Sequence, residues 1–363
     1  MQTASGLKKT PLYESHLSLQ AKMAPFGGWL MPIQYEGILA EHAHTRQEVS
    51  VFDICHMGEL ILEADPATSS FDRIITQDVV SMPVGLCRYG FMLNEQGGII
   101  DDLIVYRLYD KNWMLVVNAA TIASDEGQLY RHLSGGCRLK NASSALGKLD
   151  VQGPRSRDVM VKIFGDSIAR LGYYNCGEFF LWGERCIVSR TGYTGELGYE
   201  VYIPLEKTQR LWDTLLKDRR VKPAGLGSRD TLRLEMGYPL YGQDIDAQHT
   251  PLAAGLERFV DFSKDFIGKG ALIKEREAGP KERLVYLVSD SRRAPRHGFG
   301  IFDGDRRVGT VTSGSFSPSL SAGIAMGYVA GNYQAGNRLF IRDAAVEIPV
   351  RVTKKPFYSK TAL

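Results

Sequence analysis

The segment YGFMLNEQGGIIDDLIVYRL, residues 89–108, decides the class of fold. It contains two apolar runs, residues 89–94 and 99–108, which are rich in residue types that favour β-strands. Gly97 and Gly98 lie in the short connection between the runs, and glycines in so short a connection are typical of a tight turn. The segment therefore predicts a β-hairpin, and with it an antiparallel sheet, in the first half of the chain.

Patterns on both sides of this hairpin add helices and further strands. Residues 38–48 and 124–133 have helical patterns, while residues 113–118 and 51–62 each predict one strand. After Pro280, short apolar runs alternate with Gly, Pro, Asn and Asp, which is typical of a small β-barrel or β-sandwich. The sequence thus predicts an α+β protein whose C-terminal part is all β.

Composition excludes several classes of protein. The 363 residues carry 44 Lys+Arg against 41 Asp+Glu, and this net charge of +3 is too small for a dedicated nucleic-acid binder. No apolar run approaches the roughly 20 residues of a membrane-spanning helix. Residues 1–11 lack the apolar region of a secretory signal, and the five cysteines show no disulfide or zinc spacing. We therefore expect a cytoplasmic protein with no membrane, nucleic-acid or metal partner.

Asp101 and Asp102 are the most informative polar residues of the hairpin. Because side chains alternate along a strand, each aspartate shares its face with apolar neighbours. A carboxylate in such surroundings must be paired or have a function. We expect at least one of the two at the mouth of a buried site; the alternative is a pair that caps the amides of the turn.

Glu200 and Arg229 form a second pair of candidates. Glu200 lies in a predicted strand after Gly198 and Tyr199, and Arg229 lies at the start of a predicted helix. Together they could bind a polar heterocycle, although by spacing alone they are more typical of ordinary surface charges. The motifs GxxxxGK[ST], GxGxxG and GxSxG are absent, so a kinase or a nicotinamide-dependent dehydrogenase has little support.

Short motifs follow one another in a fixed order along nearly the whole chain. They include Phe26-Gly27-Gly28-Trp29, Phe52-Asp53-Ile54-Cys55-His56-Met57, Gly97-Gly98-Ile99-Ile100-Asp101-Asp102, Val151-Gln152-Gly153-Pro154, Gly192-Tyr193-Thr194-Gly195-Glu196, Gly225-Leu226-Gly227-Ser228-Arg229-Asp230 and Lys355-Pro356-Phe357. In this order they resemble the T protein of the glycine cleavage system, a family of tetrahydrofolate-dependent aminomethyltransferases. Each motif alone is weak, and their shared order makes the resemblance specific.

The resemblance implies a three-domain ring shaped like a clover leaf, with folate in its central opening. Two α+β domains would be interleaved in sequence, one formed by residues 1–50 and 140–250 and the other by residues 51–139. Residues 251–280 would connect them to a C-terminal β-barrel of residues 281–363. This division agrees with the change of pattern after Pro280.

The resemblance also implies a reaction and its partners. An aminomethyl group would pass from the lipoyl arm of H protein to tetrahydrofolate, with release of ammonia and formation of 5,10-methylenetetrahydrofolate. Tetrahydrofolate would be a co-substrate, and no metal would be required. H protein would be the direct partner, with glycine decarboxylase and dihydrolipoyl dehydrogenase as functional partners.

Three site residues carry the main roles in this resemblance. Asp101 matches the functional aspartate, where an anion could stabilise a developing iminium cation and orient the folate nucleophile. Glu200 matches the glutamate of the pterin site, since a carboxylate can accept two parallel N–H bonds from the ring. Arg229 matches the arginine of the folate site.

Further candidates are less central. Tyr89, Met57 and Asn118 fall in segments that line the same cavity. Tyr358 is the nearest candidate for a folate-contacting tyrosine near the C-terminus. Arg296 matches a basic position where the folate tail or H protein could pass.

One departure and two alternatives accompany the resemblance. Cys55 stands where the family has serine, and a thiol is a weak hydrogen-bond donor. Another folate-dependent demethylase or one-carbon transferase would keep the folate pocket and change the second substrate. A non-catalytic folate-binding protein is the other alternative, although its Lys-Gly-Cys-rich motif is not found in the sequence.

Overall fold

A computed structural model describes residues 6–344 and 346–359. The chain divides into two compact units. The first comprises the residues up to Met92 together with Asp101–Arg229, and the second comprises Leu93–Ile100 together with the residues from Asp230 onward. None of the helices in the described ranges is long and apolar enough to cross a membrane.

The strands of the two units are numbered in chain order. They are β1 Lys22–Phe26, β2 Trp29–Gln34, β3 Val49–Asp53, β4 Gly58–Glu63, β5 Cys87–Leu93, β6 Ile99–Arg107, β7 Asn112–Val117, β8 Arg138–Asn141, β9 Leu146–Gln152, β10 Cys176–Leu181, β11 Glu184–Ser189, β12 Gly198–Pro204, β13 Val221–Pro223, β14 Arg283–Ser289, β15 Gly300–Asp303, β16 Arg306–Ser317, β17 Ala322–Val329, β18 Arg338–Asp343 and β19 Val346–Thr353.

The α-helices are numbered in the same way. They are α1 Tyr13–Ser18, α2 Ile38–Gln47, α3 Phe71–Ile74, α4 Ile122–His132, α5 Ser156–Phe164, α6 Thr208–Leu216, α7 Leu226–Glu235 and α8 Lys269–Ala278.

A six-stranded sheet with the order β10-β11-β12-β9-β3-β13 forms one half of the first unit. Its pairs are antiparallel except for β13, which runs parallel to β3. Helix α6 buries Leu211, Trp212 and Leu215 in the core that also contains Val151 and Val201. Residues spaced by three and four lie on one face of a helix, so this spacing attaches α6 to the sheet.

A five-stranded sheet with the order β5-β6-β7-β4-β8 forms the other half of the first unit. The predicted hairpin is present as β5 and β6, and the predicted third strand is present as β7. Along β6, buried and half-buried residues alternate from Ile99 to Ile104, as expected for side chains that point to opposite faces.

The prediction of one strand over residues 51–62 is wrong. Strand β3 ends at Asp53, β4 begins at Gly58, and the two belong to different sheets. The Asp53 carboxylate accepts a hydrogen bond from the amide of Cys55 at 2.9 Å, and a side chain that captures a nearby amide ends the ladder. At Gly58, a Cβ would lie 2.6 Å from Ile122 of α4, so β4 starts where a helix approaches closely.

A closed barrel with the order β14-β17-β16-β15-β18-β19 lies in the second unit. Its core includes Leu287, Ile301, Val311, Leu339 and Ile348, all of them fully or almost fully buried. The predicted α+β class and C-terminal β-barrel are confirmed. Helix α8 lies in the segment that was predicted to connect the domains.

Candidate active site

Asp101 lies on β6 and is fully buried. Its carboxylate accepts three hydrogen bonds: from the Asn118 amide N–H at 3.1 Å, from Asn118 Nδ2 at 2.8 Å and from the Thr121 hydroxyl at 2.8 Å. Asn118 directly follows β7, the strand paired with β6. The pairing of two adjacent strands therefore holds this carboxylate in place.

Asp102 points to the opposite face of β6 and is half-buried. It accepts a hydrogen bond from the Tyr89 hydroxyl at 2.8 Å and another from Asn118 Nδ2 at 2.8 Å. Tyr106, four residues further along β6, shares this face and donates to Glu200 at 3.1 Å. Asp102 thus faces the same side as Glu200, whereas Asp101 faces away from it.

Three carboxyls lie close together at this end of β6. Asp125 on the first turn of α4 is the third; it is fully buried and neighbours Asp101. Within the described ranges, no cation forms an ion pair with any of the three. Burial and the Asp125 carboxyl raise the pKa of Asp101, and burial together with the Asp101 charge raises the pKa of Asp102 to about 7. Like charges this close cannot all ionise at neutral pH.

Glu200 lies on β12 and is almost completely buried. Its Oε2 accepts hydrogen bonds from Thr191 at 2.6 Å and Tyr106 at 3.1 Å, and Lys148 Nζ lies 3.6 Å from Oε1. Burial alone would raise the pKa of Glu200, but the Lys148 charge and these hydrogen bonds bring the pKa below its ordinary value. Glu200 is therefore an anion, and its Oε1 accepts no hydrogen bond from the described residues.

Arg229 is paired with Asp150, on β9 directly opposite Glu200 in the register of the sheet. Arg229 also lies 4.9 Å from the centre of the Tyr193 ring, a distance typical of a cation–π contact. Burial raises the pKa of Asp150 to about 6, although the Arg229 charge opposes this rise. Arg229 is therefore paired with Asp150, which lies opposite Glu200, and it does not form an ion pair with Glu200 itself.

Lys148 connects Glu200 to two further residues. Its Nζ lies 3.6 Å from the sulfur of Met57, which is half-buried. Glu59 on β4 is fully buried near Lys148 and Glu200, and burial raises its pKa to about 8. At neutral pH, of the two carboxyls near Lys148, Glu200 is therefore a carboxylate and Glu59 a neutral carboxylic acid.

Glycines let the Gln152 side chain reach the site. Its Nε2 donates to Asp150 Oδ1 and to the carbonyl of Thr191, and its Oε1 accepts from Thr194 at 2.7 Å. A Cβ at Gly198 would lie 2.0 Å from Gln152 Nε2, so the Gln152 amide would have to move away from its present partners. Gly192 and Gly198 thus leave room for the Gln152 side chain, which contacts Asp150.

Cys55 makes two hydrogen bonds with the backbone of Lys148. Its thiol donates to the Lys148 carbonyl at 3.3 Å, and its sulfur accepts the Lys148 amide at 3.2 Å. Burial raises the pKa of Cys55 well above its usual range. The thiol is therefore a structural link between the β3–β4 turn and β9.

Tyr358 and Arg296 belong to the second unit. Tyr358 is half-buried, and its amide donates to the Glu235 carbonyl at 3.1 Å. Arg296 is exposed in the segment before β15. Their predicted roles in binding folate and H protein stay predictions.

The structure adds polar residues that sequence reasoning missed. They share deep burial, and they are Glu59, Tyr106, Thr121, Asp125, Lys148, Asp150 and Gln152. Charged residues at inward-facing positions of apolar strands were the available signal, as for Lys148 and Asp150 on β9. No group of His, Cys, Asp and Glu in the described ranges has a metal-site arrangement.

Comparison with known proteins identifies the family. Residues 12–264 match the GCVT N-terminal domain, and residues 282–359 match the glycine cleavage T-protein C-terminal barrel domain. The chain belongs to the glycine cleavage T-protein family. The predicted family and the predicted class of enzyme, aminomethyltransferase, are confirmed.

Individual members of the T-protein family match over almost their full lengths. The aminomethyltransferase of Pseudothermotoga lettingae is 42% identical over 356 residues, which cover 97% of this chain and 98% of the relative. That of Halothermothrix orenii is 44% identical over 327 residues, covering 89% and 92%. The crystal structure of glycine cleavage system aminomethyltransferase T from Bartonella henselae superposes with a TM-score of 0.92 at 35% identity, covering 97% and 98%.

Proposed function

We propose that this T-protein family member transfers the methylene carbon of an aminomethylated lipoyl H protein to tetrahydrofolate, giving 5,10-methylenetetrahydrofolate and ammonia. The observation that carries the proposal is the arrangement of carboxylates on one side of β6 and β12. Asp102 is half-buried there, and the Tyr106 hydroxyl on the same face of β6 reaches Glu200.

The reaction determines what the protein must supply. Tetrahydrofolate gives up two N–H protons when the methylene bridge forms, one to the lipoyl sulfur and one to the departing ammonia. Loss of the lipoyl thiolate from the aminomethyl carbon leaves a cationic iminium centre, and loss of ammonia after the carbon has bonded to a folate nitrogen leaves another. A fixed anion near that centre lowers the free energy of the transition state, because it requires no reorganisation of solvent.

Asp102 is the better placed of the two aspartates for this role. Asp101 was the predicted catalytic residue, but its oxygens already accept three hydrogen bonds and it is fully buried. Asp102 accepts hydrogen bonds from Tyr89 and Asn118 and retains exposed surface. We assign the contact with the reactants to Asp102. We assign to Asp101 the role of holding Asn118 in position.

The Glu200 group fits a pterin ring. A pterin offers an amino group and an adjacent ring N–H as parallel donors. The Oε1 atom of ionised Glu200 has capacity to accept one of them, while Oε2 already accepts from Thr191 and Tyr106. Arg229 can donate to the ring carbonyl while it remains paired with Asp150. Met57, beside Lys148, provides an apolar contact for the flat heterocycle.

The partners and location follow from the same reaction. The donor is the lipoyl arm of H protein, and Arg296 is the proposed contact for its acidic surface or for the folate tail. Tyr358 is the proposed second folate contact. We place the enzyme in the cytoplasm.

The direct test mixes the purified protein with aminomethylated H protein and tetrahydrofolate and follows methylenetetrahydrofolate. Product should form well above the uncatalysed rate and in step with released ammonia. Turnover of a methylated sulfonium donor in place of aminomethylated H protein would instead support the demethylase alternative. Binding of tetrahydrofolate without turnover of either donor would support the non-catalytic alternative.

A further inference from the structure

Lys148 is a buried ammonium group whose N–H donors have no oxygen partner among the described residues. It lies on β9, and its side chain is 1% exposed. Its Nζ lies 3.6 Å from the sulfur of Met57, 3.6 Å from Glu200 Oε1 and 5.0 Å from the centre of the Tyr202 ring. The distance to Glu200 is too long for a hydrogen bond. The thioether of Met57 is therefore its one hydrogen-bond acceptor in the described ranges.

These contacts stabilise the positive charge of Lys148 but leave most of its donors unused. An ammonium group carries three N–H donors and is strongly hydrated in water. A thioether sulfur is only a weak acceptor, and the carboxylate and the aromatic ring act on the ammonium through their charge distributions. Because a buried donor without a partner is costly, a bound molecule that brings an oxygen to Nζ would form a strong, charge-assisted hydrogen bond.

Lys148 and Glu200 lie on the same face of the six-stranded sheet. In the register of β9 and β12, Lys148 lies opposite Tyr202. Asp150, two residues further along β9, lies opposite Glu200 and is paired with Arg229. Side chains two residues apart share a face of a strand. Lys148 is therefore the cation beside Glu200, whereas Arg229 already has a carboxylate partner.

Glu200 Oε1 and Lys148 Nζ form an acceptor and a donor that lie side by side. The Oε2 atom of Glu200 accepts from Thr191 and Tyr106, whereas Oε1 accepts from none of the described donors. With 3.6 Å between Oε1 and Nζ, the complementary ligand has an N–H next to a carbonyl, as on the edge of a cyclic amide. A pterin has such an edge. An anionic ligand fits less well, because the Glu200 charge would repel it.

We propose that Lys148 is a further folate-binding residue, which donates a hydrogen bond to the ring carbonyl of the pterin while Glu200 Oε1 accepts the adjacent ring N–H. A carbonyl oxygen has two lone pairs, so it can accept from Arg229 as well. Lys148 thereby favours a ring that has a carbonyl beside its N–H. This inference rests on the proposed function, which supplies the pterin.

Two substitutions at Lys148 test its contribution to binding. Lys148→Met removes the ammonium group and keeps an apolar side chain of similar length. The Kd for tetrahydrofolate, measured by calorimetry, should rise about tenfold or more, because a hydrogen bond from a charged donor is lost. Lys148→Gln keeps a neutral N–H donor and should raise the Kd less. As a matched control, Lys162→Met alters an exposed lysine of α5 that is paired with Asp218 at 2.9 Å, and it should leave the Kd unchanged.

Infrared spectroscopy tests the contact itself, without any assay of activity. With an isotope label on the ring carbonyl carbon of tetrahydrofolate, the carbonyl band of the bound ligand is resolved from the protein bands. This band should lie at a lower frequency in the wild type than in Lys148→Met, because a hydrogen bond from an ammonium group weakens the carbonyl bond. A merely structural role of Lys148 would not move the band.

The outcomes separate the contact from the proposed reaction. An unchanged Kd in Lys148→Met would overturn the proposal. A raised Kd with an unshifted carbonyl band would also overturn it, since Lys148 would then act only through Glu200. If Lys148→Met does not fold, the same two measurements on Lys148→Gln decide the question. A wild type that binds tetrahydrofolate with the expected band but turns over no donor would count against the proposed function alone.

Discussion

Glu59 should lower the free energy of unfolding by an amount that increases as the pH rises. Burial raises its pKa to about 8 from 4.5, so the native chain keeps a proton that the unfolded chain releases above about pH 4.5. Stability therefore falls as the pH rises from about 4.5 to about 8. At pH 7 the gap is about 2.5 pH units, which corresponds to about 3 kcal/mol at 1.36 kcal/mol per unit.

Glu59→Gln removes this dependence, because the amide is neutral in both states and has nearly the same shape. At pH 7, the gain of about 3 kcal/mol should raise Tm by about 4 °C, given an unfolding entropy of about 2.1 cal/mol/K per residue for a chain of this length. At pH 4 the two proteins should have nearly the same Tm, since Glu59 is mostly protonated in both the native and the unfolded state at that pH.

The assay is thermal unfolding of both proteins between pH 4 and pH 8. Glu63→Gln is the matched control, because Glu63 lies on the same strand with an exposed side chain paired with Arg138, and it should melt almost like the wild type. A Glu59→Gln protein that melts below the wild type at pH 7, or a Tm difference that does not grow with pH, would refute the reasoning.

Three further predictions concern folate and pH. Glu200→Ala should weaken tetrahydrofolate binding at least tenfold, measured by calorimetry, because hydrogen bonds to a charged group are worth about 1.5–3 kcal/mol; an unaltered Kd would remove Glu200 from the pterin site. Gly198→Ala should displace the Gln152 amide, lower Tm and weaken folate binding, whereas Gly270→Ala, with open space around its Cβ position, should do neither. Because Asp102 has a pKa near 7 and is required as an anion, kcat/KM should fall about tenfold per pH unit below that value; a rate that is flat down to pH 5 would contradict the assignment.

Local patterns were sufficient to predict much of the fold. The hairpin of β5 and β6 follows from two apolar runs and a glycine pair within one short segment. The barrel follows in the same way from short strands separated by turn residues. The break between β3 and β4 was not predicted. It depends partly on the approach of α4 to Gly58, which is tertiary structure, and partly on the hydrogen bond between Asp53 and the amide of Cys55, which is local but was outweighed by the apolar run.

The candidate site, too, could be predicted from the sequence only in part. Strand alternation predicted that Asp101 and Asp102 lie on opposite faces, but it could not tell which face meets Glu200. To make that distinction, one must know that Tyr106 of one sheet donates a hydrogen bond to Glu200 of the other sheet. The sequence around Tyr106 does not distinguish it from any other buried tyrosine. Lys148 was missed because its charge is compensated by Glu200, a residue distant in sequence.

In the proposed function, Asp102 contacts the reactants and Asp101 holds Asn118 in position beside it. The measurement compares Asp102→Asn with Asp101→Asn in a single-turnover assay with aminomethylated H protein, alongside the Kd for tetrahydrofolate. Asp102→Asn should bind folate like the wild type and lose at least a hundredfold in rate, within the range of about 10²–10³ for removal of one electrostatic group at a transition state. Asp101→Asn should lose less. Near-normal turnover by Asp102→Asn, with the larger loss in Asp101→Asn, would contradict the account.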